Sequence, residues 1–158
     1  MVAGVRLQLQ GERDAAIWTA KRNACTGFVA AVDHFRSSVI HDVGEVSRHF
    51  EDNSVTADQA AAVVDETKQR YKRVLAAQAA LRLSVDSDDV DTAESLVNLG
   101  DRYLYTFFSY SDSSAYLDWR GELFERLDRL EQELDTATRA WTQKARHNLA
   151  ASRVSGAA

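Results

Sequence analysis

Three of the four histidines, His34, His41 and His49, stand with Glu45 at separations of seven, four and four residues. On a helix that spacing makes one stripe. Imidazole and carboxylate groups four apart can share a metal ion, and imidazoles titrate near neutral pH. The stripe lies opposite Val32, Val39 and Val43. It therefore faces solvent in an isolated chain, with no outer partners to orient the rings. A solvated face is the first reading of these residues, and a metal or pH-sensitive site completed by a second chain is the alternative. A carboxylate-bridged metal bundle needs inward Glu-x-x-His pairs. None occurs here, because Glu45 and His49 are four apart.

Other clusters carry equally plain readings. Asp86, Asp88, Asp89, Asp91 and Glu94 resemble a calcium loop in density, but they lack the turn glycine and the closing glutamate of an EF-hand. Helix capping and solvation account for them. Lys68, Arg70, Lys72 and Arg73 spread around their helix and mark no single basic face. Cys25 sits on an apolar stripe and reads as a buried structural thiol. No nucleophile elbow or glycine-rich phosphate loop is present. The sequence calls for no catalytic residue and no cofactor.

Composition narrows the classes further. The net charge is -5, which argues against general binding to a phosphate backbone. A single cysteine excludes an intrachain disulfide. The opening MVAGVRLQLQ has no apolar core of signal-peptide length, and no run approaches the roughly 20 apolar residues that span a bilayer. A cytoplasmic location is expected. The excess of arginine over lysine, with abundant Ala, Val and Asp, fits a GC-rich genome.

The elements that must position these side chains are helices. The chain has 158 residues and no proline, the strongest breaker of helix interiors. Four stretches show helix-period apolar spacing. The first is predicted from about Val5 to Phe50, with a stripe through Cys25, Phe28, Val32, Phe35, Val39 and Val43. The second begins at Thr56, where Thr56-Ala57-Asp58-Gln59 matches a capping box. Its stripe runs through Thr67, Tyr71, Val74 and Leu81; Ala77 fills the gap and Gln78 lies at the edge. The third is predicted from Asp89 to Phe108 and the fourth from Ala115 to Ala151. The fourth carries Leu127, Leu130, Leu134 and Trp141 on its stripe, and i,i+4 pairs Glu122–Arg126, Glu125–Arg129 and Asp135–Arg139 on its flank. The tail from Ser152 is predicted to be disordered. Short loops favour antiparallel neighbours. The expected fold is all-α: one domain over residues 1–151, an antiparallel up-down-up-down four-helix bundle with long first and last helices. Their excess length permits a two-helix stalk, with Leu7, Ile17 and Trp18 facing Trp141, Ala145 and Leu149.

The aromatics crowded at the turn between helices three and four form the candidate functional surface: Tyr103, Tyr105, Phe108, Tyr110, Tyr116, Trp119 and Phe124, with Phe107 beside them. Such density serves to plug one end of a bundle, to anchor a partner or second copy, or to line an apolar pocket. Trp119-Arg120-Gly121 resembles the W-x-G tripeptide in the hairpin of small secreted helical proteins of the type VII group. Here it lies inside the fourth of four helices, where that group has two, and the tail has no Tyr-x-x-x-Asp/Glu. The likeness stops at the tripeptide.

From Leu7 to Val39, LQLQGERDAAIWTAKRNACTGFVAAVDHFRSSV resembles the opening of many small uncharacterised helical proteins of actinobacteria. It has their Arg/Gln-rich lead, a tryptophan, a basic pair, an aromatic at Phe28 and a small-apolar stripe. The resemblance implies a helical fold and transfers no activity and no site residues. The sequence therefore predicts a non-catalytic bundle acting through protein–protein contact, as a homodimer or an adaptor. The alternative is a bundle holding an apolar small molecule between helices three and four.

Overall fold

The computed structural model describes residues 2–43, 56–85, 87–111 and 116–155; within them the side chains of 2–6, 43, 57, 87, 108–111, 116–121, 123–124 and 152–155 are left aside. Helix α1 covers Val2–Ser37 and passes into a π-helical turn over Ser38–Val43. Helix α2 covers Ala57–Ser84, α3 Ser87–Ser111 and α4 Tyr116–Ser155. Among the described residues there is no strand.

The capping box at α2 forms as its residue types require. The Gln59 amide N–H donates to the Thr56 hydroxyl (3.2 Å), and the Thr56 N–H donates to the Gln59 side chain (2.9 Å). At the other end Val85 turns extended while its N–H still reaches the Leu81 carbonyl (3.0 Å). Asp88 and Asp89 occupy the first turn of α3, where carboxylates complement the helix dipole.

Contacts between helices fix the topology. Phe35 and Ser38 of the first helix meet Tyr71 and Thr67 of α2. Tyr71 and Arg82 of α2 meet Val97 and Glu94 of α3. Asp89 and Arg102 of α3 meet Asn148 and Glu133 of α4. Trp18 and Arg36 of α1 meet Leu149 and Asp135 of α4. In each pair rising numbers on one helix face falling numbers on the other, so all four neighbours run antiparallel. The fold is a four-helix bundle closed α1–α2–α3–α4–α1.

Its core is one cluster. Phe28 packs edge-on to Trp141 with ring centres 4.9 Å apart, and Phe35 lies tilted against Tyr71 at 5.2 Å. Gly100 makes the second contact possible. A methyl group there would stand 3.0 Å from Tyr71 Cε2 and 3.1 Å from Phe35 Cε1. The missing side chain lets two aromatic rings reach across the bundle axis onto α3.

Several expectations change. Gln78 is buried and Ala77 only half-buried. The 3.6-residue period that carries Tyr71, Val74 and Leu81 inward carries Gln78 with them, and side-chain polarity does not alter it. The turn over Ser38–Val43 is π and not α. Ser38 and Val39 are both fully inside, and the Ser38 hydroxyl meets Thr67 Oγ1 at 2.8 Å. Since Thr67 already donates to the Val63 carbonyl, Ser38 is the donor. Helix α3 starts two residues earlier and ends three later than expected, and α4 continues to Ser155, past the point where the tail was expected to lose order. The part of the first helix expected over 44–50 lies outside the described residues.

Candidate functional site

The aromatic surface at the α3–α4 turn divides in two. Tyr103 is buried, so it belongs to the core and to no surface. It projects from the same side of α3 as Leu96 and Gly100, which face the other helices. Burial, then the carboxylates of Glu131 and Asp128, push its phenol well above the ordinary tyrosine value. Tyr105, two residues on, is 75% exposed, as its position off the stripe predicts. Phe107 is half-buried against the core. The side chains of Phe108, Tyr110, Tyr116, Trp119 and Phe124 lie outside the described residues. The described part of the α3–α4 seam is occupied by Leu96, Leu104, Leu127, Leu130 and Leu134, all buried in the common cluster.

A more continuous exposed element is the amino-terminal stretch of α1. Every residue from Leu7 to Ile17 is exposed, including Leu7 at 72%, Leu9 at 60% and Ile17 at 47%. Contact with the bundle begins at Trp18. Its indole N–H donates to the Leu149 carbonyl (3.1 Å), and the Arg22 guanidinium sits 5.6 Å from its ring centre. From Leu149 the described part of α4 runs to Ser155, about 9 Å further. The two-helix stalk is therefore short. Trp18 and Leu149 meet as expected, whereas Trp141 and Ala145 are core residues and Leu7 and Ile17 face solvent. Sequence reading placed too much of α1 against α4 because it could not fix the register between them.

The α1–α4 seam carries polar chemistry in its middle. Arg36 of α1 pairs with Asp135 of α4, which also takes Arg139 (2.7 Å); Asp33 stands 3.7 Å from Arg36. A groove of about 510 Å³ opens beside this pair, lined by Val29, Asp33 and Arg36 of α1 and by Thr138, Arg139, Thr142, Gln143 and Arg146 of α4. Sequence reading assigned Arg139 only an i,i+4 pair and missed the groove, since its lining comes from two helices far apart in the chain. Nearby, burial and Asp128 raise the Glu131 carboxyl above its ordinary value, while Arg36 and His41 act against the rise.

Of the histidine stripe, His34 and His41 are exposed, and Glu45 and His49 lie outside the described residues. Among the described residues no three His, Cys, Asp or Glu side chains gather as a metal ion requires. Cys25 is buried; burial, then Asp89, raise its thiol, with Lys21 opposing. That environment disfavours the thiolate and suits a packing role.

The acidic loop has more structure than solvation predicts. Asp89 is only 6% exposed and accepts from Asn148 Nδ2 at 2.8 Å. Its carbonyl accepts from the Trp141 indole (3.1 Å), and Lys144 Nζ reaches the Asp88 carbonyl (3.2 Å) and the Thr92 hydroxyl (3.1 Å). Three side chains of α4 thus grip the first turn of α3. This is a structural latch, in which α4 holds the first turn of α3 through partners on both backbone and side chain.

Among the described residues no helix is long and apolar enough to cross a membrane. Comparison of the chain with protein-family models, with curated proteins and with solved structures finds no match.

Proposed function

We propose that this protein is a non-catalytic helical bundle that works by protein–protein contact, with the amino-terminal stretch of α1 as its contact element in a homodimer. The observation that carries this reading is the unbroken exposure of residues 7–17, three large apolar side chains among them, on a helix whose next turns are buried. An isolated helix of that length is marginal in water, and Gly11 weakens it by about 1 kcal/mol relative to alanine. Packing against a second chain supplies what the stretch lacks. Exposed Tyr105 offers a secondary anchor at the other end of the bundle.

Sedimentation velocity across a wide concentration range tests the proposal. The protein should associate as concentration rises, and Leu7→Glu with Ile17→Glu should abolish association while the helical circular dichroism and the melting temperature of the bundle stay unchanged. A strict monomer at high micromolar concentration would refute it. Tyr105→Glu should spare folding and weaken assembly to a smaller degree.

A further inference from the structure

The polar groove between α1 and α4 lies apart from the amino-terminal stretch, and its chemistry points to a different ligand. We infer that it is a docking site for an acidic peptide segment of a protein partner, held through two carboxylates by Arg139 and Arg146. The inference extends the protein-contact reading to a second surface.

The chain as a whole carries a net charge of -5, so a groove lined by three arginines and one aspartate runs against its background. Internal pairing does not exhaust that charge. Asp135 lies behind the groove and serves both Arg36 and Arg139, and Asp33 stands beside Arg36. Counting Arg36, Arg139 and Arg146 against Asp33 and Asp135 leaves one positive charge in excess. Arg146 has no acidic partner among the described residues, and the Arg139 side chain is 80% exposed despite its contact with Asp135. Both guanidinium groups thus retain donors for a planar, bidentate acceptor.

Spacing selects the kind of anion. Arg139 and Arg146 are two helical turns apart, about 10.5 Å along α4. That exceeds the span of a small inorganic anion. It matches two carboxylates seven residues apart on one face of a helix. Gln143 between the arginines can bond a peptide backbone, and Val29 gives an aliphatic side chain an apolar contact. A nucleic-acid backbone is a poor alternative, because one excess positive charge on an acidic protein releases few counterions.

Fluorescence anisotropy on the full chain tests this. The probe is a dye-labelled alanine-rich helical peptide bearing two glutamates seven residues apart, with a di-glutamine peptide as control. Binding should be saturable and weaken as salt rises. It should fall about tenfold or more with the control peptide and with the Arg139→Ala, Arg146→Ala double variant. Arg146→Glu should lose the glutamate peptide and recover a peptide in which the facing glutamate is lysine. Circular dichroism melts confirm that the variants fold. Absence of saturable binding, equal binding of the control peptide, or indifference to the double variant would overturn the inference. Displacement by inorganic phosphate as effectively as by unlabelled peptide would also overturn it, in favour of a simple anion site. Sedimentation of the same samples separates the two proposals: association that persists when peptide binding fails removes only the groove, and peptide binding without association removes only the homodimer.

Discussion

One helix of this protein contains both a deeply buried stretch and a long exposed one. In α1, Cys25, Phe28, Val32 and Phe35 are each no more than 5% exposed, and Val39 in the following π turn is as deep. A few turns earlier, Leu7, Leu9 and Ile17 are largely in water. Backbone hydrogen bonding is continuous through both stretches, so helix formation does not distinguish them. Partners do. The inner stretch has α2 on one side and α4 on the other; the outer one is exposed to water along its whole length. Its large apolar residues spread over about 160° of the helix surface, with Ile17 about 80° from both Leu7 and Leu9. A helix can be specified by local sequence while its burial is specified entirely by what stands beside it.

The largest expected effect comes from removing an inner side chain. Phe28→Ala takes away a ring stacked edge-on to Trp141 in a fully buried position, and should cost about 3–5 kcal/mol in denaturant melts. Ile17→Ala in the outer stretch should stay within about 0.5 kcal/mol at concentrations where the protein is monomeric. Equal losses at the two sites would break the comparison. The latch at α3 comes next. Asp89→Ala removes the hydrogen bond from Asn148 Nδ2 and the carboxylate facing Lys144, for a loss of about 1–3 kcal/mol.

Two glycines sharpen the contrast between buried and open helix surface. Gly100→Ala gains helix propensity of about 1 kcal/mol, but it drives a methyl group into Tyr71 and Phe35. Both rings are held, Phe35 by burial and Tyr71 by its hydroxyl bond to the Val97 carbonyl (3.1 Å), so the net should be destabilising by about 1 kcal/mol. Gly27→Ala meets nothing within 4 Å and should stabilise by about 0.5–1 kcal/mol. Thermal melts of both variants decide the signs.

Tyrosine ionisation probes the same core. Burial, followed by the Asp101 carboxylate, holds the Tyr71 phenol up at about 12. The neutral form is favoured in the folded state, so the unfolded chain releases this proton first. Stability from this group is complete below about pH 10 and declines as pH rises from there towards 12. Tyr71→Phe should flatten the alkaline limb in that window, and an unchanged limb would count against a buried phenol. The smallest effect belongs to the surface. Arg82 and Glu94 face each other at 3.5 Å with both side chains about half exposed, and Arg82→Ala should change stability by less than about 0.5 kcal/mol.

The sequence was most legible where local chemistry decides. The Thr56–Gln59 box, the inward stripe of α2 and the outward Tyr105 follow from residue type and helical period alone. Gln78 follows the helical period and not its polarity. The rest depends on contacts between distant segments. Nothing local marks Ser38, the first residue of the π turn, for the hydroxyl on α2 that it meets. Asp89 reads as one more acidic loop residue until Asn148 is beside it. The α1–α4 groove needs the register of two helices separated by most of the chain, and register is what periodicity leaves open.

Hydrogen–deuterium exchange along α1, followed at low and at high protein concentration, tests the central claim most directly. Amides of residues 25–37 should be strongly protected at both concentrations. Those of residues 7–17 should exchange rapidly when dilute and slow markedly when concentrated, as a second chain covers them. Protection of residues 7–17 that does not change with concentration, whether high or low, would contradict the account.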